Sequence, residues 1–233
     1  MNNLVQYTTK DNYAIIKIAN GKVNAISHEV IDEINECLSN AEQEERVVII
    51  TGQDGILSGG YDLKVMTKSA DAAKELVTKG SKLSHRLLSF PCPVIMACGG
   101  HAVAKGAFLL LSADYRLGAE GDFKIGLNEV MIGMTMHHAG IEIAKGKLTP
   151  VYFERSVSNA EMYSPSEAVN AGFLDKVVPQ SHLLPTAIQI AQLFGKINKT
   201  AHKNTKLKVR KEHLARLEKA IELDSVEEIS FNS

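Results

Sequence analysis

The run VIMACGGHAVAKGAFLLLSADYRLGA, Val94 to Ala119, decides the fold. It opens on five apolar residues, Val94 to Cys98, too few for a helix and without polar alternation, which reads as a strand covered on both faces. Gly99 and Gly100 close it. Ala107 to Ser112 then reads as a buried helix, and Tyr115 to Ala119 as the next strand. Strand, buried helix, strand is the repeating unit of an α/β protein.

The same alternation extends in both directions. Upstream, Val47 to Thr51 is a β-branched strand, and Tyr13 to Ile18 is another. Between them Ser27 is placed to cap a helix, with Ile26 and Ile31 as its hydrophobic staple and Val30, Ile31, Ile34, Cys37 and Leu38 on one stripe. The stretch GQDGILSGGYD after Thr51 reads as a glycine-bearing loop. Asp62 can cap the next helical stretch, and residues 71–89 read as a helix stopped by PCP. Downstream, Phe123 to Ile125 reads as a short strand, and the pattern turns helical after Gly133. Ser164-Pro165-Ser166-Glu167 is a capping box with proline at the first helical position, and Gly172 stops that helix. Phe173 to Val178 reads as a strand, and residues 182–197 and 200–222 as helices. The expectation is an α/β fold with a largely parallel sheet. Its last 40 or so residues are all helical and free to pack away from the sheet or onto another subunit.

The chain has 233 residues, 45% of them apolar and 23% charged, which suits one sizeable core. A formal net charge of −1 gives no signal for nucleic acid or for a membrane surface. No apolar run approaches the roughly 20 residues of a membrane helix. MNNLVQYTTKDNY has no basic segment followed by an apolar one, so it does not read as a secretory signal. Cys37, Cys92 and Cys98 are odd in number and lack CxxC spacing. They read as reduced thiols of a cytoplasmic protein, and no His/Cys cluster has the spacing of a metal site.

Three stretches carry candidate chemistry. In IGLNEVMIG, Ile125 to Gly133, Glu129 is the one ionisable side chain. A buried carboxylate is costly unless paired or protonated, so Glu129 either lies exposed at a turn or sits in a pocket that raises its pKa. In LSGGYDLK, Leu57 to Lys64, glycines lead into a helix start, where the Tyr61 amide can hold an oxyanion; a tight turn needing glycine is the plainer account. In GGHAVAKGAFLLLSADYR, a second helix begins near Lys105-Gly106, and its first amides can supply another donor, or can simply form a buried junction. Two amides and one carboxylate suit chemistry on a carbonyl and its neighbouring carbon.

Together with GKVNAIS near the start and SPSEAVNAGFLDKVVP near the end, these motifs resemble the crotonase superfamily, the enoyl-CoA hydratase/isomerase family. The resemblance implies repeated ββα units in a core of residues 1–195. A C-terminal helical region, 196–233, belongs to the same domain and serves trimerisation, giving a homotrimer or a dimer of trimers. It implies an acyl-CoA thioester as substrate and no separate cofactor. The oxyanion amides fall on Tyr61 and Lys105, and CoA contacts on Lys22, Val23, Ala25 and Gly59. Lys206, in the basic run Lys196 to His213, is the candidate for the CoA 3′-phosphate. A solvated helix face is the plainer reading of that run, and nucleic-acid binding finds no interleaved aromatics to support it.

The departures bear on the reaction. Hydratases of the family use two glutamates; this chain has Phe108 at the position of the first and Glu129, four residues before Gly133, at the second. That pattern resembles the Δ3,Δ2-enoyl-CoA isomerases, and an apolar pocket suits a single-carboxylate proton shuttle. Lys105 stands where the family commonly has glycine, so its side chain has to turn away from the thioester or reach a phosphate. Gly106, Phe108, His137 and His138 are the remaining expected pocket residues. The alternatives are a hydratase, another thioester reaction such as hydrolysis, and a non-catalytic crotonase-like subunit.

Overall fold

The computed structural model describes residues 4–227. The chain runs as successive ββα units. The first is β1 (Val5–Lys10), β2 (Tyr13–Ile18) and α1 (His28–Gln43). The second is β3 (Val47–Thr51), β4 (Gly55–Ser58), the short α2 (Leu63–Met66) and the long α3 (Ala70–Ser89). The third is β5 (Val94–Cys98), β6 (Gly100–Val103) and α4 (Lys105–Leu111), and the fourth β7 (Tyr115–Ala119), β8 (Ile125–Gly126) and α5 (His138–Lys145). After these come α6 (Pro150–Val157), β9 (Met162–Tyr163), α7 (Pro165–Ala171), β10 (Lys176–Val178), α8 (Leu183–Phe194) and α9 (Lys199–Val226). Among the described residues no helix is long and apolar enough to cross a membrane.

The strands form two sheets, ordered β1-β2-β3-β5-β7-β10 and β4-β6-β8-β9. From the second unit to the fourth, the first strand joins the larger sheet and the second the smaller one. The larger sheet is parallel apart from the β1–β2 hairpin. The second sheet is a correction to the sequence reading. GQDGILSGGYD is not only loop, because it contains β4, which pairs with β6 in the stretch after Cys98. Glycines at Gly55 and Gly100 depress strand propensity at both places. The pairing joins segments far apart in sequence, so no local pattern reveals it. The strands expected over 123–125 and 173–178 shrink to Ile125–Gly126 and Lys176–Val178.

Helix starts obey their caps. Ser27 accepts from the Val30 amide, Asp62 from Lys64, and Ser164 closes a reciprocal box with Glu167. Each such cap is worth about 1 kcal/mol. The stripe Val30, Ile31, Ile34, Cys37 and Leu38 is buried, as are Leu76, Val77, Leu83, Leu87 and Leu88 of α3. Full burial of each large aliphatic side chain contributes about 1.5–3 kcal/mol.

The C-terminal helix does not pack away from the body of its own chain. α9 lies along α3 and α5 and buries Leu217, Ala220 and Ile221. Asp224, near its end, accepts hydrogen bonds from the His138 and Ala139 amides at 2.7 and 2.8 Å, capping α5 across 86 residues of chain. Arg210 and Lys206 of α9 both reach Asp114, at 2.8 and 2.7 Å, and tie the helix to the turn before β7.

Candidate active site

Three loops converge above the smaller sheet. The first is the turn 21–25. Asn24 holds it, with a left-handed φ of 51° that asparagine tolerates better than most residues. Its buried side chain donates to the carbonyls of Ile18 and Leu57, at 3.1 and 2.7 Å, and accepts from the Asn20 amide at 2.7 Å. Val23 then offers its carbonyl to the Gly59 amide at 2.8 Å, which joins this turn to the second loop. Lys22 and Val23 are exposed and Ala25 is half-buried.

The second loop, 59–62, pairs with Ile26 as an isolated parallel bridge. Ile26 donates to the Gly60 carbonyl and accepts from the Asp62 amide, at 2.8 and 3.0 Å. Both bonds come from the residues flanking Tyr61, so the Tyr61 N–H points the other way and has no acceptor among the described residues. The third loop leads into α4. Ala104 has φ 50° and ψ −119°, a strained conformation for a residue with a Cβ. Lys105 opens the helix, so its N–H also lacks an acceptor among the described residues. The two loops touch: a Cβ on Gly60 would stand 3.1 Å from the Ala104 Cβ and 3.8 Å from the Lys105 nitrogen.

The second and third loops, through Gly59, Tyr61 and Ala104, wall a cavity of about 170 Å³ whose other side is Asn128, Glu129, Ile132 and Met134, with Leu63 and Met66 from α2. Larger clefts lie along α9 and are lined largely by charged and polar side chains, away from the free amides. Glu129 is the one carboxylate among the residues lining the cavity. It is 4% exposed, and its Oε2 has no partner among the described residues. Burial pushes its carboxyl up to about 7, a hydrogen bond from its own backbone opposing in part. The Tyr61 phenol is pushed up by burial and then by the charge of Glu129.

Other expected site residues lie elsewhere. Phe108 and Gly106 do not line the cavity. Phe108 is buried with its ring edge-on to His137, centroids 5.4 Å apart, and a methyl group on Gly106 would overlap the Ser58 carbonyl. His137 is buried behind Phe108, its Nδ1 without a partner; burial first, then the nearby Lys105 charge, draws it down to about 3, so its ring is neutral. His138 faces away, 3.0 Å from Glu227. Lys105 turns its side chain from the cavity into the protein, where burial draws the ammonium down to about 7. Lys206 corrects the expectation of a phosphate ligand: its Nζ is buried against Asp114 at 2.7 Å. Asn24 is not among the expected site residues, and the one sequence signal for it is an asparagine in a glycine-led turn. Among the described residues no three His, Cys, Asp or Glu side chains form a group that could hold a metal ion.

The family profile described as enoyl-CoA hydratase/isomerase matches residues 8–231. The crystal structure of an enoyl-CoA hydratase/isomerase family protein from Pseudomonas syringae is 60% identical, covers 95% of this chain and 96% of its own, and superposes with a TM-score of 0.94. The Mycobacterium tuberculosis enoyl-CoA isomerase structure is 37% identical over 97% of this chain and 100% of its own, with a TM-score of 0.93. A probable enoyl-CoA hydratase of Bacillus subtilis is 30% identical over 69% of this chain, and the match spans 64% of that protein's length.

Proposed function

The chain belongs to the enoyl-CoA hydratase/isomerase family, and we propose that it moves the double bond of a 3-enoyl-CoA from C3 to C2. The observation that carries this reading is the single carboxylate in the cavity: Glu129, with the apolar side chains of Leu63, Met66, Ile132 and Met134 around it. Hydration requires a water to be held and deprotonated, and two carboxylates do that well. Double-bond migration requires no water. Glu129 takes a proton from C2, the thioester oxygen gains charge as the dienolate forms, and Glu129 returns the proton to C4. Mass is unchanged.

Each group has a share in that barrier. The amides of Tyr61 and Lys105 meet the developing oxyanion, and such donors are typically worth about 3–4 kcal/mol each. A positioned base adds about 10²–10⁴-fold, and works best with a pKa near the operating pH, where burial brings Glu129. Phe108 stands at the position of the first hydratase glutamate and offers no proton-transfer group. Exposed Lys22, in the turn that touches Gly59, is the cation we assign to the CoA phosphates. The expected assembly is a trimer or a pair of trimers, which sedimentation would test.

Purified protein is incubated separately with a 3-enoyl-CoA and a 2-enoyl-CoA, with Glu129→Gln as control. A shifted double bond at constant mass, lost in the variant, is the expected result. Gain of one water by the 2-enoyl substrate, with no migration in the other, would make the protein a hydratase.

A further inference from the structure

The side chain of Lys105 has no part in the proposed double-bond migration, yet it is 1% exposed and has no carboxylate partner among the described residues. Burying an ammonium without a counter-charge is costly unless its hydrogens are placed. Here two of them are: Nζ donates to the Gly80 carbonyl at 2.6 Å and to Ser84 Oγ at 2.7 Å, both on α3. Tyr61, from the other loop, leans on the same part of α3. Its hydroxyl makes a long bond to the Val77 carbonyl, 3.4 Å, and it lies so close to Gly80 that a methyl group there would overlap it. The Lys105 Nζ is 6.0 Å from the centroid of the Tyr61 ring. The two residues whose amides are assigned to the thioester oxygen therefore send their side chains to one segment of one helix, Val77 to Ser84.

We propose that α3 is a clamp that sets the direction of both oxyanion donors, and that the Lys105 side chain, bound to Gly80 and Ser84, is its positioning residue. The inference rests on the proposed role of the Tyr61 and Lys105 amides in holding the thioester oxygen. The backbone explains why a clamp is needed. Ala104, just ahead of Lys105, is in a conformation that a residue with a Cβ keeps only where its surroundings impose it. Lys105 is the first residue after that turn, so fixing its side chain fixes the plane of the peptide that carries its N–H. Gly80 serves both arms, as the acceptor for Lys105 and as the bare surface that admits the Tyr61 ring.

The test uses 2,4-hexadienoyl-CoA, whose absorbance moves to longer wavelength when hydrogen-bond donors polarise its thioester carbonyl. Its spectrum is recorded on the wild type, Lys105→Met, Ser84→Ala and Gly80→Ala, with kcat and KM for a 3-enoyl-CoA and a circular-dichroism melt for each. The clamp predicts that Lys105→Met binds the probe but loses most of the red shift, with kcat down about 10²-fold and KM little changed. Ser84→Ala, which keeps one bond, falls between. Wild-type shift and kcat in a folded Lys105→Met overturn the clamp. Should that variant not fold, unchanged shift and kcat in both Ser84→Ala and Gly80→Ala overturn it equally. A wild type that binds the probe with no shift removes the oxyanion hole, and the clamp with it.

Discussion

Replacing Glu129 by glutamine should make the protein more stable as well as inactive, and the gain should depend on pH. Burial raises the Glu129 carboxyl from 4.5 in the open chain to about 7 in the fold. The folded state therefore holds the proton more tightly than the unfolded state. Below pH 4.5 both states are protonated and burial carries no ionisation cost; above about 7 both are ionised and the fold bears all of it. The shift is about 2.5 pKa units, each about 1.4 kcal/mol, so the full cost is about 3.5 kcal/mol, of which about 3 develops between pH ~4.5 and pH ~7.5. Glutamine has the same shape and never ionises. The stability difference between Glu129→Gln and wild type should thus grow by about 3 kcal/mol from pH ~4.5 to pH ~7.5 and then level off. In a chain of 233 residues that is about 6–12 °C in Tm. Urea denaturation of both proteins across this range measures it, and other titrating groups cancel in the comparison. A difference that stays flat within about 0.5 kcal/mol would refute the argument that burial alone raises this carboxyl.

Three further outcomes are expected. For a 3-enoyl-CoA, kcat/KM should climb with pH through about 7 as Glu129 ionises, and a profile flat between pH ~5 and ~8 would mean another group is the base. Lys206→Met should cost about 2 kcal/mol, less than the roughly 3–5 of a stranded buried charge, because Asp114 keeps Arg210 at 2.8 Å. It should leave KM for the CoA thioester unchanged, whereas a tenfold rise would return Lys206 to the ligand. Ala104→Gly should relieve about 1–3 kcal/mol of backbone strain at a cost of about 0.5–1 kcal/mol in chain entropy, raising Tm by a few degrees; calorimetry showing a fall would refute the strain.

What the sequence reveals here depends on whether the cause is local. Ser27 and Ser164 sit beside the helices they cap, and the β-branched run of β3 has no alternative state, so these can be read directly. β4 and β6 cannot, because two glycine-bearing segments become strands only by pairing with each other. Glu129 stands out because its neighbours carry no charge, and the fold gives it the raised pKa that this isolation suggests. The cavity wall around it comes from separate elements, and nothing local marks Leu63, Met66 and Met134 as neighbours. Lys206 misleads for the opposite reason: in a run of lysines, charge is visible and burial is not. The three-dimensional partner, Asp114, lies 92 residues away.

The cap that Asp224 places on α5 also sets an order of assembly. The carboxylate lies 86 residues beyond the amide it binds. At about 5–20 residues per second of synthesis, it arrives about 4–17 s after that amide. During this interval the nascent chain already carries Tyr61, Lys105 and Glu129. It lacks the group that ties down the helix behind Phe108, so a ribosome stalled before residue 224 holds the three residues of the proposed site without the brace that Asp224 supplies.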